Sequence, residues 1–515
     1  MTPTMYRPGV QAGPDGFAQL VRAEWVKFRT VRGWVIALIA AVLAIVALGL
    51  GPSMTGTCGK NGPASGCAGP LGPGGEQVTD SFYFVHRPLA GNGEITVRVT
   101  SLAGQIPAMS GAMRSGLAPW AKAGIIIKAS TRQGSAYAAM MVTGGHGVRM
   151  QYDYTGDLPG LAGPVSAASP RWLRLTRSGD RLTGYDSANG TRWTRVGTVT
   201  LAGLARTVPG GLFATSPQYA QTSGGLTSVY GGLSRATGVF GPLSLRGGWS
   251  GAGWAGSAIG APGGPAAGSP GGFAQAGGRF TVTGTGDIAP SVSGANGNGV
   301  TIAQTLIGVF AGLIVVVVVG VLFMTAEYRR GLIRVTLAAT PRRGRVLAAK
   351  AVVLGTVTFA AGLVASAVVV TLGQRVLRDN GVYVWPVTAL AGARVIVGTA
   401  AVLAVAAVIA LAIATVLRRS AAAVASVIVV IVLPYLLTVA VPILPLGPAD
   451  WLARVSPAAG FAVQQTLMQY PQVTNVYAPS AGYWPLAPWA GFAVLCAWAA
   501  VALAVATYLL RKRDA

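Results

Sequence analysis

Of the fourteen Asp and Glu residues in this 515-residue chain, eight lie between residues 52 and 300: Glu76, Asp80, Glu94, Asp153, Asp157, Asp180, Asp186 and Asp287. Glycosidic cleavage needs two carboxylates flanking one bond, and no two of the eight are marked out as such a pair. Asp180 and Asp186 fall in or beside expected hairpin turns, where Asp is favoured because it bonds nearby backbone. The two histidines, His86 and His146, cannot make a metal site with two isolated cysteines at this spacing. No nucleophile motif supports a Ser-His-Asp assembly. The sole Gly-Lys pair, Gly59-Lys60, is followed by Asn61 and lacks the upstream glycine of a phosphate-binding loop. This residue set predicts no catalysis, no metal and no cofactor.

The elements that position these residues are largely apolar. The chain is 52% hydrophobic and 10% charged, against about 25% charged in soluble domains. Some 20 apolar residues span a bilayer core as a helix. Six segments qualify, at about 33–51, 301–324, 348–372, 393–417, 421–445 and 487–510. Pro434 and Pro442 are expected to kink the fifth, whereas Pro488 opens the sixth at a position that tolerates proline. No acid lies inside a span to relay protons. Glu24 and Glu327 fall at the boundaries, so uphill transport would draw its energy from another polypeptide.

Cations outnumber acids 39 to 14, yet they cluster beside apolar spans or scatter through the insert, which argues against nucleic acid as a partner. With the N-terminus inside, the inner segments hold seventeen Lys and Arg and the short outer loops four: Arg375, Arg378, Arg394 and Arg454. That asymmetry puts both termini in the cytoplasm and residues 52–300 outside. The first apolar run is too long for a cleaved signal peptide and reads as an anchor. Before it, Phe17, Leu20, Val21, Trp25, Phe28 and Val31 recur at helical spacing, predicting an amphipathic interfacial helix over 16–32 in contact with membrane lipid.

The outer insert opens with Cys58 and Cys67, a candidate disulfide in an oxidising compartment, while Cys496 sits alone in the last span. Short alternating segments follow, including Glu94–Thr100, Ala123–Lys128, Ala136–Thr143 and Gly147–Tyr154, with Asn189-Gly190 as a hairpin signal. They predict a β-sandwich over about 80–215, followed by a Gly-rich region over about 217–300. The stretches AGIIIKAS, AYAAMMVTGGHGVRMQY and WLRLTRSGDRLTGYDSANGTRWTRVGTV resemble concanavalin-like or laminin-G-like lectin folds. That resemblance implies a glycan-binding domain. Trp120, Trp172 and Trp193 are its candidate stacking residues, against the commoner role of Trp in a sandwich core.

The segments flanking the first two spans carry a second resemblance. LVRAEWVKFRTVRGWVIALI and AEYRRGLIRVTLAATPRRGRVLAAKAVVL resemble ABC-2-type exporter permeases, and WLARVSPAAGFAVQQTLM resembles their outer re-entrant helices, at about 449–468. The resemblance implies that Glu24, Lys27, Glu327, Tyr328, Arg329, Arg330, Gly331, Arg334, Thr336, Pro341 and Arg343 face a separate ATPase. It also implies a second permease copy, identical or not, with ATP used only by the partner. Most such permeases have a short first outer loop, so the insert of about 250 residues leaves the substrate open.

The expected architecture is therefore a mixed fold: a polytopic helical membrane protein of the plasma membrane with an extracytoplasmic all-β, jelly-roll-like sandwich between helices 1 and 2. Its parts are a cytoplasmic N-terminus (1–32), helix 1 (33–51), the insert (52–300), helix 2 (301–324), an ATPase-facing loop (325–347), helices 3–6 (348–510) and a cytoplasmic tail (511–515). The expected function is export driven by a partner ATPase, with the sandwich binding envelope glycan or handling substrate. The alternative is a membrane-anchored glycan-binding or sensory protein that transports nothing.

Overall fold

A computed structural model describes residues 16–55, 69–108, 110–222, 229–251, 253–260, 271–293, 299–329, 342–440, 446–475 and 477–512. Cys58, Cys67 and Pro442 lie outside these. The chain divides into two units. The membrane unit draws on residues 1–60, 300–466 and 478–515, and the β unit on 61–299 and 467–477.

In the membrane unit, α1 (Phe17–Thr30) precedes α2 (Arg32–Thr55), α3 (Val309–Arg329), α4 (Arg343–Asp379), α5 (Ala389–Leu417), α6 (Ser420–Val427), α7 (Leu446–Val455) and α8 (Pro488–Lys512). Among the described residues, six segments are long and apolar enough to cross a membrane. The second and fourth, carried by α3 and α5, are mostly buried, whereas the first and sixth have about a fifth of their residues buried. Small residues allow α3 and α5 to meet closely: a Cβ on Gly320 would lie 2.7 Å from the Ala407 carbonyl. The fifth span widens where proline was expected to disturb it. Pro434 has no N–H to donate, and π-helical turns at Ile428–Val432 and Leu436–Ala440 flank it. The Thr438 hydroxyl donates to the Pro434 carbonyl at 2.9 Å.

The main strands of the β unit are β1 (Val78–Asp80), β2 (Phe82–Pro107), β3 (Lys122–Lys128), β4 (Tyr137–Thr143), β5 (Val148–Tyr152), β6 (Arg171–Ser178), β7 (Arg181–Ser187), β8 (Thr194–Thr200), β9 (Thr207–Thr215), β10 (Arg235–Trp249) and β11 (Ile288–Pro290). The sheet runs β8-β7-β6-β2-β9-β3-β4-β5, all antiparallel, with β10 on the other flank of β2. A straight strand of 26 residues would run about 85 Å. Instead β2 serves two parts of the sheet: residues 83–90 pair with β9, and residues 93–99 pair with β6. Between these parts Gly91 takes φ +67°, a conformation glycine adopts without cost.

Both faces of β3 and β4 are buried. Ile125, Ile127, Met140 and Val142 point into the main core, while Ile126, Tyr137 and Met141 point into a second core. Covering that second core is a ribbon in which β1 pairs with β11, the chain's entry and exit. Two lysines at the ends of β3 anchor the ribbon. Lys128 donates to Asp80 at 2.8 Å and Lys122 to Asp287 at 2.6 Å. Asp80 also accepts from the Tyr154 hydroxyl at 2.8 Å and the Gly134 amide at 2.9 Å. Burial pushes the pKa of the Lys128 ammonium down, although Asp80 pulls it up. Residues 467–477 also belong to this unit: Gln472 donates to the Thr155 carbonyl at 3.1 Å, Asn475 to the Ser293 carbonyl at 2.8 Å, and Val473 packs with Ala289 and Val292.

The hairpin expected at Asn189-Gly190 is a wider connection. Asn189 Oδ1 accepts from the amides of Thr191 and Arg192, both at 3.0 Å, so six residues separate β7 from β8. The Asn side chain closes an Asx turn within that longer loop.

Removing one partner from a buried ion pair costs about 3–5 kcal/mol. Asp80→Ala should therefore lower the unfolding midpoint of the β unit in the intact purified protein, and the double change Asp80→Ala/Lys128→Met should cost less than Asp80→Ala alone. Denaturant titration followed by tryptophan fluorescence tests this; an unchanged midpoint for Asp80→Ala contradicts it.

Candidate functional site

The amphipathic α1 turns a mixed face inward. Glu24 and Phe28, one helical turn apart, are buried, while Phe17, Trp25 and Val26 are exposed. The Phe28 ring lies 5.8 Å from Trp34 and 5.6 Å from Phe323, and Trp34 lies 5.0 Å from Phe323. These rings form an aromatic wall beside the Glu24 carboxylate.

The opposite wall is charged. Lys350, in the second turn of α4, is 1% exposed. Its ammonium donates to Glu24 Oε2 and Glu327 Oε1, both at 2.7 Å, and lies 4.5 Å from the Phe323 ring centre. Lys27 donates to Glu24 Oε1 at 2.8 Å and to Glu327 Oε1 at 3.1 Å. Two anions and two cations thus close a neutral cluster joining α1, α3 and α4. A charge placed there alone would carry a desolvation penalty of several kcal/mol. Glu327 Oε2 has no hydrogen-bond partner among the described residues.

Of the residues expected to face an ATPase, Glu24, Lys27 and Glu327 come together in this cluster. Both carboxylates are buried against Lys350, and only Lys27 keeps substantial exposure, at 41% of its side chain. Next to them the Tyr328 ring lies 5.4 Å from the Arg418 guanidinium. Arg343 donates to the Leu510 carbonyl at 2.9 Å, tying the start of α4 to the end of α8. Arg329 ends α3; Arg330, Gly331, Arg334, Thr336 and Pro341 lie outside the described residues. Lys350, the hub, was not singled out from sequence. Its signal was a lone cation inside an apolar helical run, where charge persists only with partners.

A family model described as "ABC-2 family transporter protein" matches residues 125–515. The chain belongs to the ABC-2 transporter family. No curated protein matches it. Among solved structures it is similar to scytalido-glutamic peptidase with a transition state analog inhibitor, at 7% identity over 40% of this chain and 98% of that one, with a TM-score of 0.25. It is also similar to a mutant of the GH43 protein BlXynB from Bacillus licheniformis, at 18% identity over 24% of each chain, with a TM-score of 0.17. This chain therefore spans about a quarter of that protein's length. A functionally unknown protein from Saccharomyces cerevisiae matches at 16% identity over 35% of this chain and 83% of its own, with a TM-score of 0.20. Likenesses this weak carry no argument about the β unit.

ABC-2 membrane subunits are typically non-catalytic and work with an ATPase partner. This one has an apolar cavity of 700 Å³ in its membrane unit, walled by Leu48, Ile307, Phe310, Tyr435 and Trp484, with Gln464 as a polar contact. Tyr435 is held between Phe310, at 5.5 Å, and Phe461, at 4.4 Å. In the β unit, Trp120 is 6% exposed and stacked on His146 at 3.9 Å. This burial matches the core role weighed against sugar stacking for Trp120. Trp172 and Trp193 are half-buried, each with a guanidinium nearby: Arg98 at 6.0 Å and Arg174 at 3.9 Å.

Lys350→Met should leave Glu24 and Glu327 with Lys27 alone and loosen α1. Hydrogen exchange of the α1 amides in the detergent-solubilised protein should accelerate about 100-fold, the equivalent of about 3 kcal/mol of local stability. Unchanged exchange would show that the cluster does not hold α1.

Proposed function

We propose that this chain is the membrane-spanning subunit of an ABC exporter. It pairs with a second permease copy, takes its energy from a separate cytoplasmic ATPase and has both termini in the cytoplasm. Family membership supports the reading, as do the six candidate spans and the excess of Lys and Arg on the inner segments. The observation that carries it is the ion-pair cluster of Glu24, Lys27, Glu327 and Lys350. It ties the interfacial α1 to α3 and α4, and the Arg-rich segment between those helices is where the ATPase docks. A push there moves three helices together, because none can shift without exposing or unpairing a charge.

Within that reading Lys27 and the segment 325–347, Glu327 apart, receive the ATPase, while Glu24, Glu327 and Lys350 act one step behind it. The apolar cavity favours a substrate with a hydrophobic portion, since few of its walls offer a hydrogen bond. The β unit, residues 69–293 with 467–477, stands outside the cell and handles substrate or holds the complex to envelope glycan.

Affinity purification of the tagged chain from membranes in mild detergent, with partners identified by mass spectrometry, tests the central claim. A stoichiometric ATPase subunit is expected, at least tenfold depleted in Arg329→Glu/Arg330→Glu. No ATPase, under conditions where other membrane complexes stay intact, would shift the reading to an anchored glycan-binding protein.

A further inference from the structure

The β unit carries an open polar face that the transport reading does not use. On β2, Ile95, Val97 and Val99 point into the core, so Glu94, Thr96 and Arg98 point the other way. The pairings continue that face across β8, β7, β6, β2 and β10. One row runs Arg195, Tyr185, Arg174, Thr96, Ser244. The next runs Thr198, Thr183, Thr176, Glu94, Arg246, and flanking positions add Trp172 beside Arg98 and Arg181 beside Ser178. Four strand spacings make the face about 19 Å wide, and seven residues of β6 make it about 20 Å long.

Its charge is one-sided: five arginines, at 98, 174, 181, 195 and 246, against Glu94. Glu94 is already engaged, lying 3.5 Å from Arg174. Arg174 is fixed in place, donating to the Thr96 hydroxyl at 3.2 Å with the Trp193 ring 3.9 Å away. Among the described residues Arg98, Arg181, Arg195 and Arg246 have no acidic partner, and Arg98 Nε is buried without a hydrogen bond. Threonine hydroxyls lie between them, with Thr183 and Thr198 3.0 Å apart.

We infer that this face binds an anionic polysaccharide bearing carboxylate or phosphate groups. Planar guanidiniums match those groups in pairs, and the hydroxyls between them suit sugar hydroxyls. An open sheet face about 20 Å across fits an extended polymer, whereas a small ligand calls for a concave pocket. A lipid surface fits less well, because the face offers no aliphatic side chain to insert and its two tryptophans lie beside guanidiniums. This inference deepens the proposed role of the β unit and takes from it only the location outside the cell.

The test uses the full-length protein in neutral phosphatidylcholine nanodiscs, with binding measured by interferometry to immobilised polygalacturonate and, separately, poly(glycerol phosphate). Dextran, duplex DNA and phosphatidylglycerol vesicles serve as comparisons. Retention on one or both anionic polymers, absent on dextran, is expected, and the responding arm identifies the charged group. Arg98→Gln/Arg195→Gln/Arg246→Gln should weaken binding at least tenfold, with an unchanged unfolding midpoint and unchanged ATPase co-purification. Arg22→Gln/Arg29→Gln on α1 should bind as the unmodified protein does. If the triple change lowers the midpoint, the exposed Arg195→Gln alone must still weaken binding measurably. Full binding by the triple variant, equal retention on dextran or DNA, or binding to the vesicles alone would overturn the inference. Because ATPase co-purification is read separately, loss of the transport reading would leave this result standing, and the reverse.

Discussion

A lysine ammonium removed from water has to find carboxylates, and one end of the membrane unit is organised around that requirement. Lys350 is buried almost completely, so Glu24 and Glu327 must come to it, and they lie on helices that only the fold brings together. Lys27 then balances the second negative charge. The aromatic rings of Phe28, Trp34 and Phe323 close one side, excluding water and strengthening every attraction inside. The amphipathic α1 is thereby fixed to the last turn of α3 and the second turn of α4.

The β unit obeys the same rule for a different purpose. Lys122 and Lys128 are fully buried at the two ends of one strand, and each holds a carboxylate from the ribbon formed by the unit's entry and exit. That ribbon shields the second core. Buried pairs of this kind add little net stability over a hydrophobic replacement, but they penalise every arrangement that separates them. They fix where the ribbon sits more than how tightly it is held.

The spans were legible because charge is scarce in this chain and vanishes over six long runs, a pattern only a bilayer or a deep core tolerates. The strands around Glu94–Thr100 and Ala123–Lys128 were legible from alternation and β-branching. Pairing was not: Glu24 and Lys350 are separated by 326 positions, and nothing local records their contact. Nor could alternation place Trp120, which lies in the turn before β3 and stacks on His146, whereas Trp172 lies within β6 opposite Arg98. One signal was present and unused. The chain has only six lysines among 39 cations, and Lys27, Lys122, Lys128 and Lys350 all sit in ion pairs with carboxylates at least nine-tenths buried. Where arginine is the default cation, a lysine marks a site that wants a compact point charge.

The central claim is that force from the ATPase passes through the Glu24–Lys350 contact, and a charge exchange tests it most directly. ATP hydrolysis by the partner, stimulated by the reconstituted permease, would be measured for Glu24→Lys, for Lys350→Glu and for both together. The account predicts that each single change abolishes stimulation and that the double exchange restores a substantial part of it. Stimulation that survives Glu24→Lys, or a double exchange no better than either single change in complexes that still assemble, would contradict it.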